Sequence, residues 1–138
     1  MIERTFIILK PDCMEKNMAG KVLDRLFTKG LKPVAMKLVR LNDQILTEHY
    51  AHLKDKPFFP GILKFMSRSP VIMAVLEGED AVNVVRLLCG PTNSTQAPAG
   101  TIRGDLGKDV QENIIHASDS KETAAAEIAR FFKKEELC

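Results

Sequence analysis

His116 sits in the stretch NIIHASDS, residues 113–120, where an apolar pair leads straight into small polar residues. An imidazole in such a place either ends a buried strand with its ring satisfied by a neighbour, or acts on a substrate through an unprotonated nitrogen. Ser118 and Asp119 follow so closely that all three residue types of a hydrolase triad occur together. A triad needs a hydroxyl on one ring nitrogen and a carboxylate on the other, and neighbours along one strand end and turn cannot flank an imidazole on both sides. The G-x-S-x-G elbow of many serine hydrolases is also missing. A carboxylate from another element serves better. Glu127 qualifies, because its i+4 neighbour Phe131 turns it toward the core side of a helical stretch, and an interior glutamate requires a partner.

Phosphate chemistry is often announced by the Walker loop G-x-x-x-x-G-K-[ST]; the nearest stretch, MAGKV, lacks the first glycine and the hydroxyl residue. The chain offers instead a scatter of single cations and a hydroxyl at element ends: Lys10, Arg86, Thr92 and Arg103. Each alone fits a solvated surface or turn as well as an anion site. Arg103-Gly104-Asp105 spells an adhesion tripeptide, but without a secretory signal it reads as a turn or an anion-binding arginine. Glu48, His49 and His52 share a predicted helix, and two histidines at i, i+3 are a start on a metal site. A full ligand set and the H-E-x-x-H spacing are both lacking, so a solvated helix face is the better reading.

The elements that must position these residues follow from periodicity. RTFIIL is a short β-branched and aromatic run stopped by Pro11, which predicts a buried strand ending near Lys10 and then a sharp exit. Val22, Leu23, Leu26 and Phe27 recur at helical spacing from Ala19 to Lys29, with Gly30 where a C-terminal glycine belongs. KPVAMKLVRL is a second strand with one wetter face. Asn42 or Asp43 caps a helix through QILTEHYAHLK that Pro57 ends, and FFPGILKFMSR forms a further short helix. PVIMAVLEG is the clearest buried strand, and EDAVNVVRLL is a helix closed by Cys89-Gly90-Pro91. PTNSTQAPAGTIRGDLG is a long loop of the kind that is usually functional or disordered. NIIHA is a last strand, and Asp119 with Glu122 resembles a capping box opening KETAAAEIARFF. With the helical insertion and last helix set aside, the order is βαββαβ. The expected fold is therefore α+β and ferredoxin-like: a four-stranded antiparallel sheet with helices on its faces, in a single domain over residues 1–138.

Composition narrows the function without choosing it. Twenty basic against eighteen acidic residues leave a net charge of +2, too slight for nucleic-acid or membrane binding through the global field. Any anion site must be local. Three cysteines, Cys13, Cys89 and Cys138, lie far apart without C-x-x-C spacing, which fits free thiols in a reducing compartment. The apolar run in MIERTFIILK is too short for a signal peptide, and no run approaches the ~20 residues that span a bilayer. A cytoplasmic protein is expected.

RTFIILKPD, EHYAHLKDKPFFPGILKFMSRSPVIMAVLEG, PTN, GTIRGD and NIIHASDS resemble, in order and spacing, the nucleoside diphosphate kinases, over essentially the whole chain. The N-x-x-H-[GA]-S-D pattern, together with K-P-D far upstream, is highly specific to that family. The resemblance implies transfer of the γ-phosphate of a nucleoside triphosphate, usually ATP, to a nucleoside diphosphate by a ping-pong route through a phosphohistidine. It makes His116 the nucleophile and Glu127 its orienting carboxylate, with Ser118 and Tyr50 at the catalytic centre. Lys10, Tyr50, Arg86, Thr92 and Arg103 match positions around the phosphates; Asn113, with Lys10, matches those holding the sugar hydroxyls; Phe58 and Val110 match the pair that clamps the base. Mg²⁺ is implied, bound mainly through the nucleotide phosphates with no protein metal ligands, as is a homo-oligomer, tetramer or hexamer. Ala117 stands where many members have glycine, a small swap that fits the family pattern.

General chemistry agrees with those assignments. A carboxylate on one imidazole nitrogen fixes the tautomer that leaves the other nitrogen nucleophilic. A transferring phosphoryl group spreads negative charge over its oxygens, which cations at Lys10, Arg86 and Arg103 would clamp. A base gripped between an aromatic and an aliphatic side chain is held through features all bases share, so broad base specificity is expected. The alternative is a nucleotide-binding or regulatory module on the same fold with weak catalysis, which turnover distinguishes.

Overall fold

The computed structural model describes Met1–Cys138. Strand β1 (Ile2–Leu9) is one of the sheet's two interior strands and from Thr5 onward is fully buried. It pairs antiparallel with β3 (Val71–Glu79) on one side and with the short β4 (Ile115–Ala117) on the other, while β2 (Lys32–Val39) adds to β3 as an edge. The order β2-β3-β1-β4, antiparallel throughout, is the ferredoxin-like arrangement that the element order implied. Pro33 lies in the edge strand at a bulge, where a missing N–H disturbs the ladder least.

Alternation along β1 divides the core in two. Ile7 and Leu9 face one layer with Val22 and Leu26 of α2 (Ala19–Thr28) and Val85 of α5 (Ala81–Cys89). Phe6 and Ile8 face the other layer. There they meet Leu46 of α3 (Asp43–His49), Phe65 and Met66 of α4 (Phe59–Met66), and Phe131 of α7 (Lys121–Phe131). On β4, Ile115 and Ala117 belong to the first layer. His116 between them is therefore turned to the second, with its ring 6.1 Å from that of Phe6. The helical insertion between β2 and β3 roofs this same layer, so the register of a three-residue strand decides which side of the sheet carries the imidazole.

Local structure differs from the sequence reading at four places. The sharp exit after β1 is a single helical turn, α1 (Pro11–Glu15), opened by proline at its first position, where the missing N–H costs nothing. α3 stops at His49 and gives way to a 3-10 turn, Ala51–Leu53, so the helix expected to run on to Pro57 is broken. The long loop contains α6 (Ile102–Leu106), capped by the Thr101 hydroxyl, which accepts from the Gly104 N–H at 3.0 Å. Gly104 is required there, since a Cβ would fall 2.0 Å from the Pro98 carbonyl oxygen. Finally, α7 is capped by Ser120, whose hydroxyl accepts from Thr123 N–H at 3.0 Å, and not by Asp119. Such a cap stabilises a helix by about 1 kcal/mol.

Cys13 and Cys89 are free and buried, and Cys138 is free and exposed. Burial pushes the Cys13 thiol up to about 12 and the Cys89 thiol to about 11, so neither is a nucleophile near neutral pH. No helix is long and apolar enough to cross a membrane.

Candidate active site

The end of β1, the loop from Gly90 to Asn113, β4, α7 and the helical insertion surround a cavity of about 660 Å³. Ten of the eleven residues singled out from the sequence line it: Lys10, Tyr50, Phe58, Arg86, Thr92, Arg103, Val110, Asn113, His116 and Glu127. Ser118 lies behind the wall, 1% exposed, against Glu127.

His116 Nε2 is 2.8 Å from Glu127 Oε2, and the Ser118 hydroxyl donates to Glu127 Oε1 at 2.5 Å. With a carboxylate on Nε2, the neutral ring keeps its proton there and presents Nδ1 as a lone pair. Glu127 is 5% exposed. Burial by itself would raise its carboxyl, but the hydrogen bonds from His116 and Ser118 outweigh this and hold it below the usual glutamate range. The His116 side chain retains 24% exposure. It is approachable from the cavity while its partner is not. The triad order is thus reversed from a hydrolase: serine and histidine both address the carboxylate, and Asp119 faces the cavity separately.

Lys10 ends β1 and donates through Nζ to the Gln111 carbonyl and to Asn113 Oδ1, both at 2.7 Å. Asn113 Nδ2 in turn donates to the Thr92 carbonyl at 2.9 Å. Burial lowers the Lys10 ammonium to about 8, Asp12 opposing the shift and Arg103 adding to it. Arg103, from α6, is 6% exposed and spreads its guanidinium over the carbonyls of Asn113, Gly90 and Ile115 at 3.3, 2.9 and 2.6 Å. Gly90 presents its carbonyl from φ +81°, a conformation glycine adopts without strain. Arg86 reaches across from α5 to the Ala117 carbonyl at 3.3 Å. A buried, inward-turned Arg103 excludes the adhesion reading of Arg103-Gly104-Asp105, and Asp105 pairs instead with Arg25 at 2.8 Å. Phe58 and Val110, 54% and 57% exposed, stand among the residues lining the cavity as large apolar side chains left in water.

Two residues to which sequence reasoning gave no role in the site are central. Asp12 is fully buried, and its Oδ2 accepts the Ile114 N–H at 3.0 Å. Ile114 has φ +76°, which a β-branched residue adopts only when its surroundings force it. Asp12 and the Lys10 N–H, which donates to the Ile114 carbonyl at 2.9 Å, pin that peptide from both sides, immediately before β4. Burial raises the Asp12 carboxyl above its ordinary range, against the Ile114 hydrogen bond and the Lys10 charge, which lower it. The signal was K-P-D itself, read as a strand end and as part of the family pattern but without a role for Asp12.

His49 is the second, and here the solvated-face reading is wrong. The break in α3 after His49 leaves it 6% exposed, with its ring 5.1 Å from that of His116 at 81° and 4.6 Å from that of Tyr50. His52, by contrast, stays exposed. A group of potential metal ligands does exist, but it joins His49 to His116 and Glu127, whose donor atoms lie within 4.8 Å of one another. Tyr50 is half-buried, and desolvation with the Glu127 charge drives its phenol up to about 12, so it remains a neutral donor.

For Mg²⁺ the donor set is informative. The cavity wall has two carboxylates; Glu127 is committed on both oxygens, and Asp119 is left free. An ion that demands an oxygen octahedron finds no protein cage here, and fits only if phosphate oxygens supply most of its ligands.

The family model described as nucleoside diphosphate kinase matches residues 3–137. The chain is 53% identical over 136 residues to the nucleoside diphosphate kinase of Parabacteroides distasonis, covering 99% of this chain and 89% of that one. Among solved structures, it matches the Aquifex aeolicus nucleoside diphosphate kinase at TM-score 0.96 and 44% identity, with both chains covered completely. It also matches a halophilic nucleoside diphosphate kinase from Halobacterium salinarum in complex with CDP, at TM-score 0.97 and 44% identity over 100% of this chain and 92% of that one.

Proposed function

The chain belongs to the nucleoside diphosphate kinase family, and on that premise we propose that the transferred phosphate passes through His116. The activity is the family's: the γ-phosphate of a nucleoside triphosphate, typically ATP, is moved to a nucleoside diphosphate. The observation that carries the assignment is the 2.8 Å contact of His116 Nε2 with Glu127, which leaves Nδ1 free on a ring that lines the cavity. In the first step the Nδ1 lone pair bonds to the γ-phosphorus while the bond to the bridging oxygen breaks, and the nucleoside diphosphate leaves with those electrons. In the second, a terminal oxygen of another diphosphate attacks the phosphohistidine, and the P–N bond electrons return to the ring. The Nε2 proton stays on its nitrogen, held by Glu127, which balances the positive charge developing on the ring. Ser118 keeps that carboxylate in place.

Lys10, Arg86, Arg103 and the Thr92 hydroxyl take the phosphates, with Tyr50 as a neutral donor at the catalytic centre. Lys10 and Asn113 take the sugar hydroxyls, and Phe58 with Val110 clamps the base. Mg²⁺ would be carried mainly on the nucleotide phosphates, with Asp119 the one free carboxylate on the cavity wall; when bound it would neutralise phosphate charge and help orient the γ-group. The same reading takes residues 1–138 as one catalytic domain, supported by two core layers sharing one sheet. It places the protein in the cytoplasm, in keeping with its free thiols, and makes it a homo-oligomer, tetramer or hexamer. Exposed Met36 and Leu38 on the edge strand β2 support association, and light scattering during gel filtration counts the subunits.

Incubation with γ-labelled ATP should give an acid-labile, base-stable phosphoprotein that a nucleoside diphosphate discharges. His116→Ala should lose labelling and at least about 10⁴-fold in turnover; a variant that still labels would sink the assignment. Nucleotide binding with no exchange in the unmodified protein would instead favour a regulatory module.

A further inference from the structure

Glu127 has a second imidazole neighbour. His49 Nε2 stands 3.7 Å from Glu127 Oε2, the same oxygen that holds His116, and the His49 side chain is only 2% exposed. On its other side, His49 Nδ1 is 2.9 Å from Nη1 of Arg130. A guanidinium only donates hydrogen bonds and stays charged, so Nδ1 must be the acceptor and the single proton of a neutral His49 must sit on Nε2. Arg130 follows Glu127 by three residues on α7, which puts both side chains on one helix face. Its Nε is buried without a hydrogen-bond partner, and Glu48 Oε1 lies 3.7 Å from it.

Resting on the assignment of His116 as nucleophile, we propose that Arg130 is a positioning residue: it locks His49 in the Nε2–H tautomer, so that the Glu127 carboxylate stays committed to His116. The opposite tautomer would aim a lone pair at Glu127 Oε2 and push the carboxylate away. A doubly protonated His49 would do the reverse damage, competing with His116 for the same oxygen as a second cation. The Arg130 guanidinium blocks the first, because it cannot accept a proton from Nδ1–H, and its charge adds to the burial that blocks the second. The groups facing His49 are Glu48, Tyr50 and His52 from the insertion, His116 from β4, and Glu127, Arg130 and the Phe131 ring from α7. Burial is the largest influence and holds His49 down to about 3, with His116, Arg130 and His52 adding to it and Glu127 opposing. His49 is neutral throughout the working pH range. The lock also withholds the Nε2 lone pair from any cation that would use His49, His116 and Glu127 together.

Long-range ¹H–¹⁵N correlation spectra of the imidazoles read the tautomer without reference to turnover. In the unmodified protein, His49 should show a protonated Nε2 and a bare Nδ1 from about pH 5.5 to 8. Arg130→Leu should give mixed His49 tautomers, the ring staying neutral because burial keeps it uncharged, and should lower kcat by about tenfold with KM within about twofold. Arg130→Lys keeps a donor-only cation and should retain the Nε2–H form and the original kcat. A His49 protonated on Nδ1 in the unmodified protein, an unchanged tautomer in Arg130→Leu, or a changed tautomer with an unchanged kcat overturns the proposal. Should His116→Ala instead retain the phosphoenzyme, the assignment of the nucleophile fails while the His49 spectra still report on the lock.

Discussion

On the wall of the cavity built from the β1 end, α5 and α6, every hydrogen bond from Lys10, Arg86 and Arg103 goes to a carbonyl or to a side-chain amide oxygen. On the wall built from β4 and α7, the imidazole of His116 has a carboxylate of its own. Both walls are mostly buried, so both bear desolvation costs, yet they handle charge in opposite ways. Carbonyl dipoles hold a cation in place without cancelling its charge, which leaves the field of the first wall available to an incoming polyphosphate. The carboxylate of the second wall cancels positive charge where it would develop, on the ring proposed as nucleophile. Under that proposal, interchanging the two schemes would neutralise the phosphate clamp and leave a phosphorylated ring unsupported.

Removing a cation from the carbonyl-held wall tests this most severely. Arg103→Met should cost about 10²–10³-fold in kcat/KM with a raised KM, and Arg103→Lys should not restore it, because one ammonium cannot span three carbonyls. Steady-state kinetics alongside a melting curve separate this from unfolding, and a loss under threefold would mean the field is supplied elsewhere. Glu127→Gln keeps the acceptor and removes the charge from the other wall. It should lower kcat by about 10²-fold while leaving nucleotide affinity within about threefold, so a loss confined to affinity would contradict the division. The mildest test is pH. Lys10 titrates near 8 because of burial, so its charge is present below that value and is lost as pH rises through it. Free-enzyme kcat/KM should therefore fall by about fivefold between pH 8 and 9, and Lys10→Arg should remove that limb.

The two walls also differed in how far they could be read from sequence. β1, β3, α2, α5 and α7 carry unambiguous apolar periods, which fixed the element order and hence the ferredoxin-like arrangement. Glu127 was legible because Phe131 four residues on showed which side of α7 faces inward, and Phe131 does lie in the core. The cations of the first wall were not legible one at a time. Lys10, Arg86 and Arg103 hang on three different elements, and nothing local distinguishes them from solvated residues; only the family pattern linked them. His49 was read as part of a solvated helix face because its i, i+3 pairing with His52 lacked a full metal-ligand set, whereas the 3-10 turn after Tyr50 carries the two rings to different surroundings.

What the sequence by itself determined is the set of elements, their order and the chemical types at their ends, because propensity, apolar period and turn chemistry act over a few residues. Only the tertiary structure decided that Ile115 and Ala117 pack into one layer and so turn His116 into the other. It also decided that Asp12 pins the left-handed Ile114 beside that strand, and that Arg130 reaches the far nitrogen of His49. Those outcomes depend on hydrogen bonds between residues distant along the chain, in places where water is excluded and each donor must find an acceptor. No local pattern encodes that matching; it exists once the sheet and its two layers have closed.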